Sequence, residues 1–116
     1  MMRINKLMLA VIMLIGLGVT GISQAAVNPP VIDNKSCEQP KYPKASLMNE
    51  ETGTVTLGFL IGVDGKVVES KVESTSGSKS LDKAALQALS LCKFKPGSKD
   101  GKVEQMWVKM DFVWKF

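Results

Sequence analysis

Gly53 to Ser76 reads GTVTLGFLIGVDGKVVESKVESTS. Val55, Leu57, Phe59, Ile61 and Val63 recur at a period of two, the mark of a strand with one buried face. Asp64-Gly65 follows directly, and Asp-Gly between alternating runs signals a tight hairpin. A two-residue loop pairs Val63 with Lys66, Ile61 with Val68, Phe59 with Ser70 and Leu57 with Val72. That register puts Val68 and Val72 on the face of Ile61 and Leu57, and a one-residue slip would separate them. Val67, Glu69, Lys71 and Glu73 fall on the other face, which is largely solvated.

Downstream residues supply the cover for this greasy face. Ser76-Gly77-Ser78-Lys79 reads as a loop, with Ser80 as helix N-cap and Asp82 in the first turn. Leu81, Ala84, Ala85, Ala88, Leu89 and Cys92 then form one helical stripe, with alanines small enough to bring the helix close to a sheet. The helix is expected to run to Cys92 and stop before Pro96-Gly97, with Phe94 as a core plug. Val103 to Phe116 alternates again. Met106, Val108, Met110, Phe112, Trp114 and Phe116 share one face; Gln105, Trp107, Lys109, Asp111, Val113 and Lys115 share the other. Fourteen residues exceed the usual strand length of about five or six, so an overhang or a bulge is expected. Upstream, Pro43 to Glu51 reads as a short helix with Ala45, Leu47 and Met48 as its apolar side and Tyr42 packed at its entry. The fold class is α+β: a two-layer sandwich, with a three-stranded antiparallel sheet, one main helix on one face and a short N-terminal helix.

The chain has 116 residues, room for one domain. A positive head at Arg3 and Lys6, an apolar run from Leu7 to Val19 and the small residues Ser23-Gln24-Ala25 have the layout of a signal peptide over residues 1–25. The apolar run is shorter than the roughly 20 residues that span a bilayer; an uncleaved anchor is the alternative. Residues 26–36, with Pro29-Pro30, read as an extended, poorly ordered arm, and residues 37–116 as the domain. The mature part carries 13 lysines and 11 acids, net +2 and well mixed. A clustered basic face is missing, which argues against nucleic acid as a partner. Cys37 and Cys92, in an exported chain of this size, read as a disulfide, with two buried free thiols as the alternative. The sequence contains no histidine, so a Ser-His or Cys-His pair is impossible and a metal site is unfavoured. No glycine-rich phosphate loop precedes a helix. Neither an enzyme nor a cofactor is expected.

A binding module has a mechanism here. Three strands cannot close into a barrel, so the sheet has edges, and an edge strand can take an extended peptide by backbone pairing. The last strand is the candidate, with Val103, Gln105, Trp107, Lys109, Asp111, Val113 and Lys115 as its peptide-binding residues. Two alternatives stand beside it: Trp107 and Val113 pack under the first helix or the arm, or the edge pairs with a second copy to make a homodimer.

Tyr42-Pro43 with Ala45 two residues on, Gly53-Thr54-Val55, Asp64-Gly65-Lys66-Val67, Ser76-Gly77, Leu81-Asp82-Lys83-Ala84-Ala85 and Phe94-Lys95-Pro96-Gly97 appear in this order. The series resembles the C-terminal domain of the TonB family and covers about residues 37–116. A cysteine before Tyr-Pro and another before Phe-Lys-Pro resemble a disulfide-bearing branch. The resemblance implies a periplasmic domain of a Gram-negative bacterium. TonB proteins couple the inner-membrane proton-motive force to outer-membrane receptors by pairing their last strand with a receptor peptide, the TonB box. The matching segment here is Val103 to Lys115, so the implied partner is a protein or peptide of the cell envelope. Two departures qualify the likeness: the leader reads as removable, and only about a dozen residues separate it from Cys37. At about 3.5 Å per extended residue these reach roughly 40 Å, short of a transducer's spacer. The expectation is therefore a stand-alone periplasmic binding domain, with a short transducer anchored in the inner membrane as the alternative.

Overall fold

The computed structural model describes residues 26–116; the leader expected over 1–25 lies outside the described residues. In chain order the elements are β1 (Val27–Asn28), β2 (Val31–Asp33), α1 (Lys44–Met48), β3 (Gly53–Ile61) and β4 (Val67–Ser74). They are followed by α2 (Lys79–Leu89), β5 (Lys93–Lys95), β6 (Ser98–Lys99), β7 (Lys102–Val103) and β8 (Met106–Trp114). The chain is α+β, as expected. Its main sheet is antiparallel with order β4-β3-β8, so β3 is central.

The alternation in β3 builds the core. Val55, Leu57, Phe59 and Ile61 have no exposed surface, and Leu81, Ala85 and Leu89 of α2 pack with them in one cluster. Phe94 joins that cluster, its ring centroid 5.8 Å from that of Phe59. Cys37 and Cys92 form a disulfide.

The hairpin departs from the expected register near its tip. Phe59 pairs with Ser70 and Leu57 with Val72, but Ile61 pairs with Val67. The loop has three residues, Val63-Asp64-Gly65. Gly62 N donates to Lys66 O at 2.9 Å, and Gly65 N donates to Gly62 O at 2.9 Å. Gly65, at φ +84°, takes the left-handed conformation that closes such a loop. Asp-Gly suits both loop lengths, and the longer one is absorbed by a bulge at Val68. Val67 therefore turns toward the core and Val68 is exposed, the reverse of the expected assignment.

Two boundaries and two packing details also differ, for local reasons. The N-cap of α2 is Ser78, not Ser80: Ser78 follows the turn at Gly77, is still extended, and its Oγ accepts from Leu81 N at 3.3 Å. The helix ends at Leu89, not Cys92. Leu91 N and Cys92 N donate to Ala88 O and Leu89 O in a tightening turn before the chain extends into β5. In α1 the inward residue is Ser46, while Ala45, Leu47 and Met48 face solvent. Five residues bury only one position, and the expected apolar side is the outer one. The arm is extended but tied down: β1 pairs with β6 and β2 with β5, and Ser36 Oγ accepts from Lys93 N at 2.8 Å.

Candidate functional site: the free edge of the last strand

The expected 14-residue strand is broken. Lys102–Val103 folds back on β6 as β7, Glu104 and Gln105 link, and β8 begins at Met106. Along β8 the side chains alternate. Met106, Val108, Met110, Phe112 and Trp114 are wholly or partly buried, whereas Trp107, Lys109, Asp111 and Val113 are exposed. Of the seven residues expected at the edge, these last four share one face of one strand. Val103 lies in β7, Gln105 in the link, and Lys115 beyond the strand end.

β8 pairs with β3 over nine consecutive residue pairs, Gly53 with Trp114 through Ile61 with Met106, without a register shift. Its other side has no partner strand among the described residues. In an antiparallel strand alternate residues aim their N–H and C=O away from the neighbour, so β8 offers a straight row of unpaired backbone groups. The opposite edge, β4, is built differently. It carries register shifts against β3 at both Thr56/Leu57 and Leu60/Ile61, and the exposed charges Glu69 and Lys71.

The open face beside the β8 edge is organised by a charge cluster. Glu73 receives Lys71 Nζ at 3.1 Å and Lys109 Nζ at 3.3 Å. Hydrogen bonding from Lys71, then from Lys109, holds the Glu73 carboxyl below its ordinary pKa. Lys71 Nζ also sits 4.6 Å from the ring centroid of Trp107, within cation–π range. Gly58 leaves room for this bridge, since a Cβ there would stand 3.2 Å from Glu73 Oε1. Thr56 Oγ1 donates to Asp111 Oδ1 at 2.7 Å. Thr56, Gly58, Lys71 and Glu73 thus line the site, although sequence reasoning left them out. The one available signal was a glycine at position 58, on the face of β3 opposite the apolar one.

The C-terminal end of β8 is clamped. Tyr42 meets Trp114 edge-on at 4.8 Å, stacks on Phe116 at 5.3 Å, and donates from its hydroxyl to Glu51 O at 2.6 Å. Phe112 adds a further edge contact to Trp114 at 5.0 Å. Tyr42 is therefore packed at the entry of α1, as its position before Pro43 suggested.

A profile of the family described as Gram-negative bacterial TonB protein C-terminal matches residues 38–116. The chain belongs to that family. Protein TonB of Haemophilus ducreyi is 44% identical over 55 residues, covering 47% of this chain and 20% of the relative. Protein TonB of Vibrio cholerae serotype O1 is 30% identical over 87 residues, covering 71% of this chain and 36% of the relative. The chain thus spans about a fifth to a third of the length of these curated TonB relatives. The solution NMR structure of the Pseudomonas aeruginosa TonB C-terminal domain superposes with a TM-score of 0.59 at 22% identity, covering 75% of this chain and 86% of that one. That likeness concerns the fold. TonB family proteins are envelope proteins of Gram-negative bacteria that transduce energy rather than catalyse reactions. No helix among the described residues is long and apolar enough to cross a membrane.

Proposed function

We propose that this TonB-type domain works in the periplasm, where it takes an extended peptide of an envelope protein onto the free edge of β8, in the service of TonB-dependent transport across the outer membrane. The contrast between the two sheet edges carries the reading. Bulges are a usual means of blocking unwanted strand pairing, and β4 has two of them. β8 has nine residues in unbroken register and presents Trp107 and Val113, which are 42% and 53% exposed. A peptide strand added there gains backbone hydrogen bonds from alternate residues. Its side chains meet Trp107, Lys109, Asp111 and Val113, which supply selectivity.

Titration of isotope-labelled protein with a synthetic TonB-box peptide tests the proposal. Amide shifts and slowed hydrogen exchange are expected along Met106 to Val113 and not along β4. Saturating peptide that leaves these amides unmoved refutes strand addition. Shifts of the same amides on raising protein concentration without peptide would instead show the edge pairing with a second copy.

A further inference from the structure

The two sulfurs of the disulfide stand in unequal surroundings. Cys92 is 2% exposed and belongs to the core cluster. Cys37 is only half-buried and lines a groove of about 450 Å³ shared with Glu38, Lys41, Ala88 and Leu91. Cys92 borders a smaller hollow of about 250 Å³, but its low exposure leaves little sulfur to reach. The larger groove has the volume of a small-molecule site. Ala88 and Leu91, the latter 78% exposed, contribute apolar lining to this groove. Lys41 and Glu38 offer it one charge of each sign.

We propose that Cys37 Sγ is a thiol–disulfide exchange site for a small zwitterionic thiol of the glutathione class. The thiolate attacks Cys37 Sγ from the groove and a new S–S bond forms to Cys37. The Cys37–Cys92 bond breaks, and its electron pair leaves on Cys92 Sγ, which takes a proton from water. One disulfide replaces another, so no separate oxidant or reductant is consumed. The leaving thiol has a place to donate, because Ala88 O lies 3.9 Å from Cys92 Sγ. Attack on the other sulfur would need a reagent to enter the core. Exchange at Cys37 removes the covalent tie between residues 26–36 and the end of α2, leaving the short β1–β6 and β2–β5 pairings and hydrogen bonds such as Lys93 N to Ser36 Oγ.

The test uses the oxidised chain with reduced glutathione and no denaturant, quenched with acid at intervals and mapped by mass spectrometry. A single glutathione on Cys37 with a free thiol at Cys92 is expected. Glutathione on Cys92 overturns the proposal, as does an adduct whose rate rises with urea in step with unfolding. Because the mixed disulfide can close again, single-thiol variants give a second reading. Toward glutathione disulfide, Cys37 in Cys92→Ser should react at least about tenfold faster than Cys92 in Cys37→Ser. Equal rates refute the asymmetry.

Discussion

Replacing Gly65 by alanine puts a methyl group where the hairpin tip touches the strand that follows the main helix. Gly65 has φ +84°, and a Cβ there would collide with the Phe94 carbonyl oxygen. The left-handed conformation alone costs an alanine about 1–2 kcal/mol. Relief of the collision has to move the tip, and Phe94 N donates to Gly65 O at 2.8 Å. Losing that bond costs about 1 kcal/mol, and loosening the buried Phe94 ring against Phe59 costs about another. The sum is about 3–4 kcal/mol, a large part of the 5–15 kcal/mol that typically holds a domain together. Gly101 is the control, with φ +80° and nothing within 4 Å of the place a methyl group would take. Gly101→Ala should show the conformational cost alone. The predicted difference between the variants is therefore about 2 kcal/mol, or roughly 8–16 °C in Tm for a domain of this size. Urea unfolding followed by tryptophan fluorescence measures it, since Trp107 and Trp114 both lie in β8. Midpoints that agree to within about 0.5 kcal/mol at equal slope would show that the tip does not rest on β5 as described.

Asp82 is buried and accepts from Ser76 N at 2.9 Å, from Ser76 Oγ at 2.6 Å and from Thr75 Oγ1. Burial pushes its pKa up, but these hydrogen bonds outweigh it and hold the carboxyl below its ordinary value. Its stabilisation is fully present above the unfolded pKa of about 3.9 and is lost as pH falls through the lower folded value; wild type should therefore exceed Asp82→Asn by about 1–3 kcal/mol at neutral pH, with the gap closing below about pH 4 in urea titrations. Ser46 Oγ is buried with no hydrogen-bond partner among the described residues, so Ser46→Ala should leave stability unchanged or raise it by about 1 kcal/mol, and a loss of that size would reveal a partner. The disulfide closes a sequence separation of 55 residues, worth about 4 kcal/mol in chain entropy. The reduced protein should melt far lower than the oxidised one, and coincident melts would show the cross-link to be energetically idle.

Long apolar alternations were legible in the sequence, and short or context-set features were not. Val55 through Ile61 and Met106 through Trp114 each repeat often enough at a period of two for their buried faces to be read directly. The stripe from Leu81 to Leu89 is equally clear. The pairing of the extended arm was not legible because β1 and β2 have two and three residues, too few to show a period. Their partners β5 and β6 lie more than 60 residues away in sequence, as the pairs Val31–Lys95 and Val27–Lys99 show. In α1 the apolar residues were assigned inward by type, yet a single turn can seat one side chain, and the small Ser46 fills the place. At the site, the alternation of Trp107, Lys109, Asp111 and Val113 was visible along one strand. Their neighbours Lys71 and Glu73 lie across the sheet, and which cross-strand residues meet depends on a register that the bulges shift.

The misread register and the proposed site have one physical root. Both shifts between β3 and β4 place the extra residue on β4: Val68 between the partners of Leu60 and Ile61, and Glu73 between those of Thr56 and Leu57. A residue inserted into an edge strand leaves its own backbone unpaired, bends the strand and raises its twist. An incoming strand would have to match that twist and forgo hydrogen bonds at two places. Charge alone would not do this, because β8 also carries Lys109 and Asp111. Glu73 pairs with Lys109 of β8 as it does with Lys71 of β4, so the bulges and not the charges distinguish the two edges. The central strand is paired on both sides, so it has no edge to defend. On the proposed function, bulges on β4 and an unbroken register on β8 would direct an added strand to Met106–Trp114. Of the two bulges that would keep an added strand off β4 under this proposal, the one at Val68 is the one that takes up the three-residue hairpin tip.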